Sequence, residues 1–291
     1  MSDVNQQRRR VLQMLGAGAL ALAVPQRTAE ATSMPKPKIA LQLYTVRKAI
    51  ESDFEGTIRK VADVGFLGVE TYTLPQHITL ERAVLGLKDV GLKVMGMHTP
   101  LPVGENREVV LRLAEAYQCD RVIFPGGGEV EKYKTAAGIQ EMVDLYNETG
   151  RSLEARGLHF GLHNHWMEFE KTGDYYPFYY LLEHLDKSIF FEIDTYWAKV
   201  AGMDPARIVR DFGARAPFLH IKDGPAIKGE PASKQLPAGK GAMDFPAIVK
   251  AGGRALQWMI VEFDDYEKDI FDGIQKSYSF LTRRKLAAGR I

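Results

Sequence analysis

Cysteine is almost missing from this 291-residue chain. Cys119 stands alone, so an internal disulfide is impossible and a thiolate zinc site is excluded. An excess of one charge is missing too. With 38 Lys and Arg against 37 Asp and Glu, the net charge is +1, which gives no general electrostatic reason to bind nucleic acid or an anionic membrane surface. Nor is there an apolar run long enough to span a bilayer, the best stretch being residues 14–24. What is present is ordinary globular material, 45% hydrophobic and 26% charged, which argues against disorder or a collagenous repeat. A chain of this length buries roughly 75% of its unfolded surface on folding, so it needs no covalent or metal staple merely to fold.

The first thirty residues read as an address. Arg8, Arg9 and Arg10 precede Val11 and Leu12, the apolar run follows, and Ala29 and Ala31 supply small residues for cleavage. This charged, apolar, small-residue order is that of an export signal, and the arginine run resembles the twin-arginine type. Residues 1–31 are therefore expected to be a signal peptide handled by the twin-arginine translocase. Residues 32–291 are expected to form the mature domain, located in the periplasm without stable membrane insertion.

From residue 38 onward short apolar segments alternate with amphipathic ones. The strand candidates are 38–46, 68–73, 93–100, 121–127, 159–165, 189–194, 218–223 and 258–265. Each is followed by a helical pattern, and Gly closes most of these helices. Eight βα units in about 250 residues predict a single (β/α)8 TIM barrel of the α/β class. An open doubly wound sheet fits less well, because no GxGxxG turn follows the first strand. The irregular stretch 224–243, after the seventh strand, reads as an active-site loop.

In such a barrel, chemistry collects at the C-terminal ends of the strands. Those ends carry Glu70, His98, His163, His165, Asp194, His220, Lys222, Glu262 and Asp264, including four of the seven histidines. Residues two apart on a strand share a face, so His163 and His165 can both face the mouth, as can His220 and Lys222. His163, Asp194, His220 and Glu262 lie 31, 26 and 42 residues apart, about one unit each, so barrel closure gathers them. This mixed nitrogen and oxygen set suits one divalent ion, Mn²⁺, Co²⁺, Zn²⁺ or Fe²⁺. The competing explanation is a hydrogen-bonded polar network without metal. No organic cofactor is indicated.

These pieces together resemble the xylose isomerase-like TIM barrel family of sugar phosphate isomerases and epimerases, which also contains endonuclease IV-type enzymes. The matching residues are Glu70 of the GVE segment, His163-Asn164-His165, Asp194-Thr195-Tyr196-Trp197, His220-Ile221-Lys222-Asp223, Gly239-Lys240-Gly241 with Asp244-Phe245, and Glu262. In the epimerase branch, strands five to eight supply Glu, Asp, His and Glu to one metal. The resemblance therefore implies that Asp194, His220 and Glu262 are ligands, with His163 standing where the first Glu is expected. Because the epimerases use both metal-bound glutamates as acid and base, this substitution leaves a 3-keto-glycoside lyase or hydrolase as an alternative to an isomerase. A non-catalytic sugar-binding barrel is a third reading. The nuclease branch is disfavoured: Trp197 occupies a position where it needs a further His, and near-neutral charge offers no phosphate-binding surface.

The chemistry expected of such a site is enolisation of a small carbohydrate. Glu262, His163 and His165 are candidate acids and bases, and Lys222 is a candidate donor to a hydroxyl or oxyanion. Glu70, His98, Asn164 and Trp197 are expected to hold the substrate, with Trp166, Tyr175 and Tyr176 as a possible apolar wall. The Gly126-Gly127-Gly128 run is a weak phosphate-loop signal, explained equally well by a turn needing positive φ. Cys119 reads as buried packing.

Overall fold

A computed structural model describes residues 35–127 and 130–290. The proposed signal, residues 1–31, lies outside them, as does Gly128. Eight parallel strands close into a barrel in sequence order. They are β1 (Lys38–Gln42), β2 (Gly68–Thr71), β3 (Lys93–His98), β4 (Arg121–Phe124), β5 (His159–His163), β6 (Phe190–Asp194), β7 (Phe218–Ile221) and β8 (Trp258–Val261). Closure is made by β1 against β8, with Leu41 opposite Val261.

Each strand is shorter than its apolar run. β1 stops at Gln42, whose side-chain oxygen accepts a hydrogen bond from Tyr44 N at 3.1 Å, and residues Leu43–Val46 turn into a 3₁₀ helix instead of continuing the strand. The outer helices start where short polar residues cap them. Asp53 accepts from Gly56 N before Phe54–Val64, Thr79 from Arg82 N before Leu80–Asp89, and Thr135 from Gly138 N before Ala136–Glu154. Gly65, at φ 112°, ends the first of these in a left-handed cap that a side chain would resist. Among the described residues, no helix is long and apolar enough to cross a membrane.

The core has two parts. A large apolar cluster, including Leu41, Val69, Leu162, Phe191, Ile193 and Val261, fills the space between sheet and helices. A smaller one, Ala40, Met95, Ile123, Phe190, Phe218, Trp258 and Ile260, plugs the barrel interior. Cys119 is a free, buried thiol, as its apolar setting implies. Two residues beyond the plug, on the same faces of their strands, the interior changes from apolar to ionisable: Glu192 follows Phe190, His220 follows Phe218, and Glu262 follows Ile260.

The loop after β7 is tied to the barrel by one carboxylate. Asp223 Oδ2 accepts backbone N–H groups from Gly239, Lys240 and Gly241 at 2.8–3.2 Å, and Oδ1 accepts from Gly224 and Met243 at 2.9 and 3.2 Å. A Cβ on Gly241 would sit 2.2 Å from Asp223 Oδ1 and 2.3 Å from Gly224 N, so only glycine lets the loop close on its anchor. Replacing Asp223 by Asn turns one acceptor into a donor aimed at N–H groups. The D223N and G241A variants should each lose about 2–4 kcal/mol of unfolding free energy, read from urea denaturation; a loss below about 0.5 kcal/mol would show that the anchor does not hold the loop.

Candidate active site

The strand ends surround a cavity of about 480 Å³ whose wall includes the ionisable residues His98, His163, His165, Lys222, Glu262 and Asp264 and the aromatic residues Tyr44, Tyr72 and Phe124. The two tyrosine rings meet edge to face, with centroids 5.6 Å apart. Below the cavity lies a continuous polar network buried from solvent. Gln42 Nε2 donates to Glu70 Oε2 at 2.7 Å. The same oxygen lies 2.8 Å from His220 Nε2 and 3.2 Å from His98 Nε2. Glu192 Oε2 receives three imidazole nitrogens, His98 Nε2 at 2.6 Å, His220 Nε2 at 3.1 Å and His163 Nδ1 at 3.2 Å. His220 Nδ1 faces Glu262 Oε2 at 2.6 Å on its other side.

Lys222 fills the upper part of this network. Its ammonium is 2.9 Å from Glu262 Oε2, 2.9 Å from Asp264 Oδ1 and 3.0 Å from Asp194 Oδ2. The Trp197 ring lies 5.5 Å away, on the cation's flank. Asp264 is held in turn by Gln235, whose amide donates to Oδ2 at 2.6 Å and accepts from Asp264 N at 2.8 Å. The β7 loop thus contributes to the mouth through Gln235.

Burial and charge set the protonation states. Burial works against a charge on His220, but the carboxylates of Glu192, Glu262 and Glu70 outweigh it and raise its pKa well above the usual value. Lys222 is raised in the same way by Asp194, Asp264 and Glu262 against burial. Burial would also raise Glu262, yet Lys222 and His220 overcome it and keep that carboxyl ionised. For Asp194 burial wins, lifting it to about 6. Glu70 rises to about 7 through burial and the charge of Glu192. His165 is pushed down to about 4 by burial and then by Lys222, and His163 is also lowered, by burial and then His220. Both are therefore neutral rings near pH 7.

The expected site residues do not all fall where the sequence placed them. His163, Asp194, His220 and Glu262 do not form one four-membered cluster. The donor atoms fall into two groups sharing His220: His98, His163, Glu192 and His220, and separately Asp194, His220 and Glu262, with the atoms in each group within 4.8 Å of one another. Either group has the donor chemistry and spacing to hold a divalent ion. Two buried carboxylate oxygens without a hydrogen-bond donor, Glu70 Oε1 and Glu192 Oε1, show that the network has unused ligating capacity.

Glu70 does not reach the cavity, being wholly buried beneath His220. Asn164 faces away from the mouth, since it lies one residue from two inward histidines. Its carboxamide accepts from Asp194 N at 2.9 Å and donates to Asp194 O at 3.2 Å, bracing β6. Trp197, Trp166, Tyr175 and Tyr176 are absent from the cavity wall; both tyrosines line a separate surface cleft beside Arg207. Gly126 and Gly127 adopt φ of 69° and 93°, which accounts for those glycines by backbone conformation. Two residues were overlooked in the sequence. Glu192 shares a strand face with Asp194, which the period-two rule could have shown. Glu168 is buried and accepts from His165 N at 2.9 Å, holding the strand-five histidine turn.

Residues 58–284 match the family described as xylose isomerase-like TIM barrel. Among solved structures, a sugar phosphate isomerase/epimerase from Parabacteroides distasonis is similar at 21% identity, covering 91% of this chain and 100% of its own, with a TM-score of 0.71. A probable 3-DHS dehydratase from Bacillus anthracis follows at 16% identity, 85% and 99% coverage and a TM-score of 0.68. A D-allulose 3-epimerase from Methylomonas sp. has 14% identity, 86% and 98% coverage and a TM-score of 0.59. At these identities the likeness is one of fold. No curated protein matches the chain.

The ammonium of Lys222 is the main counter-charge to three carboxylates. Replacing it with Met should cost about 3–5 kcal/mol of stability, because buried charges lose their partner. Asp194→Asn added to that variant should restore part of the loss, by removing one of the stranded charges. Denaturation in the presence of a chelator reads both; an unchanged K222M would mean that the carboxylates are neutral without it.

Proposed function

The chain belongs to the xylose isomerase-like TIM barrel family, and on that footing we propose that it is a divalent-metal-dependent carbohydrate isomerase or epimerase working through an enediolate. The observation that carries the reading is the contact between Glu262 and Lys222, an ionised carboxylate and an ammonium 2.9 Å apart in the cavity wall, directly above the imidazole and carboxylate network. His163 and His220, with neighbouring carboxylates among Asp194, Glu262 and Glu192, are the residues from which a divalent ion would be held. Such an ion polarises a substrate carbonyl and steadies the enediolate charge.

This chain's own residues supply the rest. Glu262 is the base for the proton next to the carbonyl, kept ionised by Lys222 and His220. Lys222 remains charged and donates to a substrate hydroxyl or to the developing oxyanion. Neutral His165, whose buried Nδ1 has no hydrogen-bond partner, is placed to bind a hydroxyl; its lowered pKa makes it a weak base. Tyr44, Tyr72 and Phe124 add apolar surface to the wall for a sugar ring. The similar structures include isomerases, an epimerase and a dehydratase, a range consistent with one early step, proton removal beside a carbonyl, followed by different fates.

A second reading, a 3-keto-glycoside lyase or hydrolase, is favoured by one observation. Among the described residues of the cavity wall, Lys222 is the only Lys or Arg, and three carboxylates already hold it. That wall offers no ready phosphate site, while its aromatic residues suit an uncharged group. An export signal at residues 1–31, as expected from the sequence, would agree with this reading by placing the enzyme in the periplasm, exposed to neutral glycosides.

Glu262→Gln should lower turnover by about 10²–10⁴-fold while sugar affinity changes little, as measured by steady-state kinetics and calorimetry. Equal turnover would remove Glu262 from the reaction. Release of an aglycone from a keto-disaccharide would select the lyase reading, and tight sugar binding without any turnover would select a binding barrel.

A further inference from the structure

A second concavity opens on the catalytic side of the barrel. It measures about 720 Å³, against about 480 Å³ for the cavity at the strand ends, and the two share no lining residue among those described. Two connections build it. Residues 164–176 run from the end of β5 to the helix Pro177–His184, and residues 201–204 run from the helix Thr195–Val200, which follows β6, to the helix Pro205–Phe212. Both leave the C-terminal ends of strands, so the cleft lies on the same side of the barrel as the mouth.

Tyrosine dominates its lining. Tyr175, Tyr176, Tyr179 and Tyr180, four of the twelve in the chain, fall within six residues of sequence and are all half-buried. Three of their hydroxyls are spent on the chain itself. Tyr175 donates to Tyr133 O at 2.7 Å, Tyr179 to Asp211 Oδ2 at 2.6 Å and Tyr180 to Gln140 Oε1 at 3.2 Å. Tyr180 also stacks on His184 with centroids 3.9 Å apart, and Tyr179 packs edge to face on Phe212 at 5.6 Å. These rings are therefore fixed before any ligand arrives, and they offer ring surface at little cost in ordering.

The polar groups around them are unbalanced in charge. Asp174, Glu183 and Asp204 set three carboxylates against one guanidinium, Arg207, which already lies 3.5 Å from Asp211. An anionic ligand would meet net repulsion here, whereas a polyol finds acceptors for its hydroxyls and, in Arg207, donors for its ring and bridging oxygens. The aromatic surface also stops at the cleft. Among the described residues the exposed large apolar side chains, Tyr44, Leu85, Val109 and Ile227, are absent from its lining. It therefore has the dimensions of a small-molecule pocket and not the spread of a protein interface.

We propose that this cleft is a second carbohydrate site, separate from the catalytic cavity, and that it takes an uncharged oligosaccharide. The C–H faces of a pyranose lie against the electron-rich faces of the tyrosine rings, and the hydroxyls on its edge donate to the carboxylates. The choice of a sugar as ligand rests on the functional reading; the site itself requires no turnover.

The test uses the whole chain labelled with fluorotyrosine, with each cleft signal assigned by its Tyr→Phe variant. It is titrated with cello-, laminari-, malto-, xylo- and manno-oligosaccharides. At least one series should shift the signals of Tyr175, Tyr176, Tyr179 and Tyr180 saturably below about 10 mM, the weak end of specific binding. Tyr176→Ala should weaken that binding about 10-fold, while Tyr176→Phe, which keeps the ring, should change it less than about 2-fold. Glu183→Ala, at an exposed position, should also weaken it and reads the same site if circular dichroism shows Y176A to be unfolded. No shift at the four tyrosines with any series would overturn the assignment. So would equal shifts with anionic oligogalacturonate, or with choline, a cation that aromatic rings and carboxylates also attract. Shifts at Tyr44 and Tyr72 with none at the cleft would overturn it while leaving the functional reading standing. Shifts at the cleft alone, in a protein that turns over no sugar, would keep the cleft and remove that reading.

Discussion

Negative charge buried at the mouth of the barrel is the constraint on which the rest of the site depends. Glu70, Glu192, Asp194 and Glu262 are buried, and Asp264 stands at their edge. Among the described residues, Lys222 is the one ammonium in contact with this group. A carboxylate removed from water must be neutralised, paired or hydrogen-bonded, and the network uses all three means. Asp194 and Glu70 are lifted toward neutral pH by burial. Glu262 is held ionised by Lys222 and His220, and Glu192 by the histidines gathered around it. Neighbouring carboxyls differ in state because the cations around Glu262 and Glu192 outweigh burial, while those around Asp194 and Glu70 do not.

The barrel makes this arrangement possible by rigidity. Glu70, Asp194, His220, Lys222 and Glu262 each stand at or within a residue of the end of a strand paired on both sides, so their positions are fixed by backbone hydrogen bonds and not by the polar network itself. Phe190, Phe218 and Trp258 close the interior beneath and exclude the water that would otherwise screen the charges. The long connection after β7 is drawn into the same frame by the five N–H groups on Asp223 and by the pairing of Gln235 with Asp264. Supporting contacts of this kind hold the geometry of the mouth.

The fold was legible because strand and helix periods alternate without interruption, and because capping residues such as Asp53, Thr79 and Thr135 stand where a helix must begin. Most of the mouth was legible for the same reason, since strand ends are marked by the change from apolar to ionisable residues. Glu192 is hard to single out in the sequence because it lies inside the segment Phe190-Phe191-Glu192-Ile193-Asp194, where only the terminal Asp marks the strand end. Asn164 was assigned to the substrate by its place between two histidines, although alternation turns it outward. The pairing of Lys222 with Asp194 and Glu262 was beyond the sequence altogether. It depends on how far three strands tilt around the barrel, a quantity that residue spacing does not record. The aromatic wall was misplaced likewise, because Tyr44 comes from a strand that ends earlier than its apolar run.

The central claim is that the site removes a proton from the carbon beside a sugar carbonyl. Nuclear magnetic resonance of keto-sugars incubated with the metal-loaded protein in D₂O tests this most directly. The account predicts deuterium at that carbon, in recovered substrate or in product, with no exchange in a control lacking protein. Product formed without any deuterium would contradict it, as would a bound sugar whose carbon-bound protons never exchange.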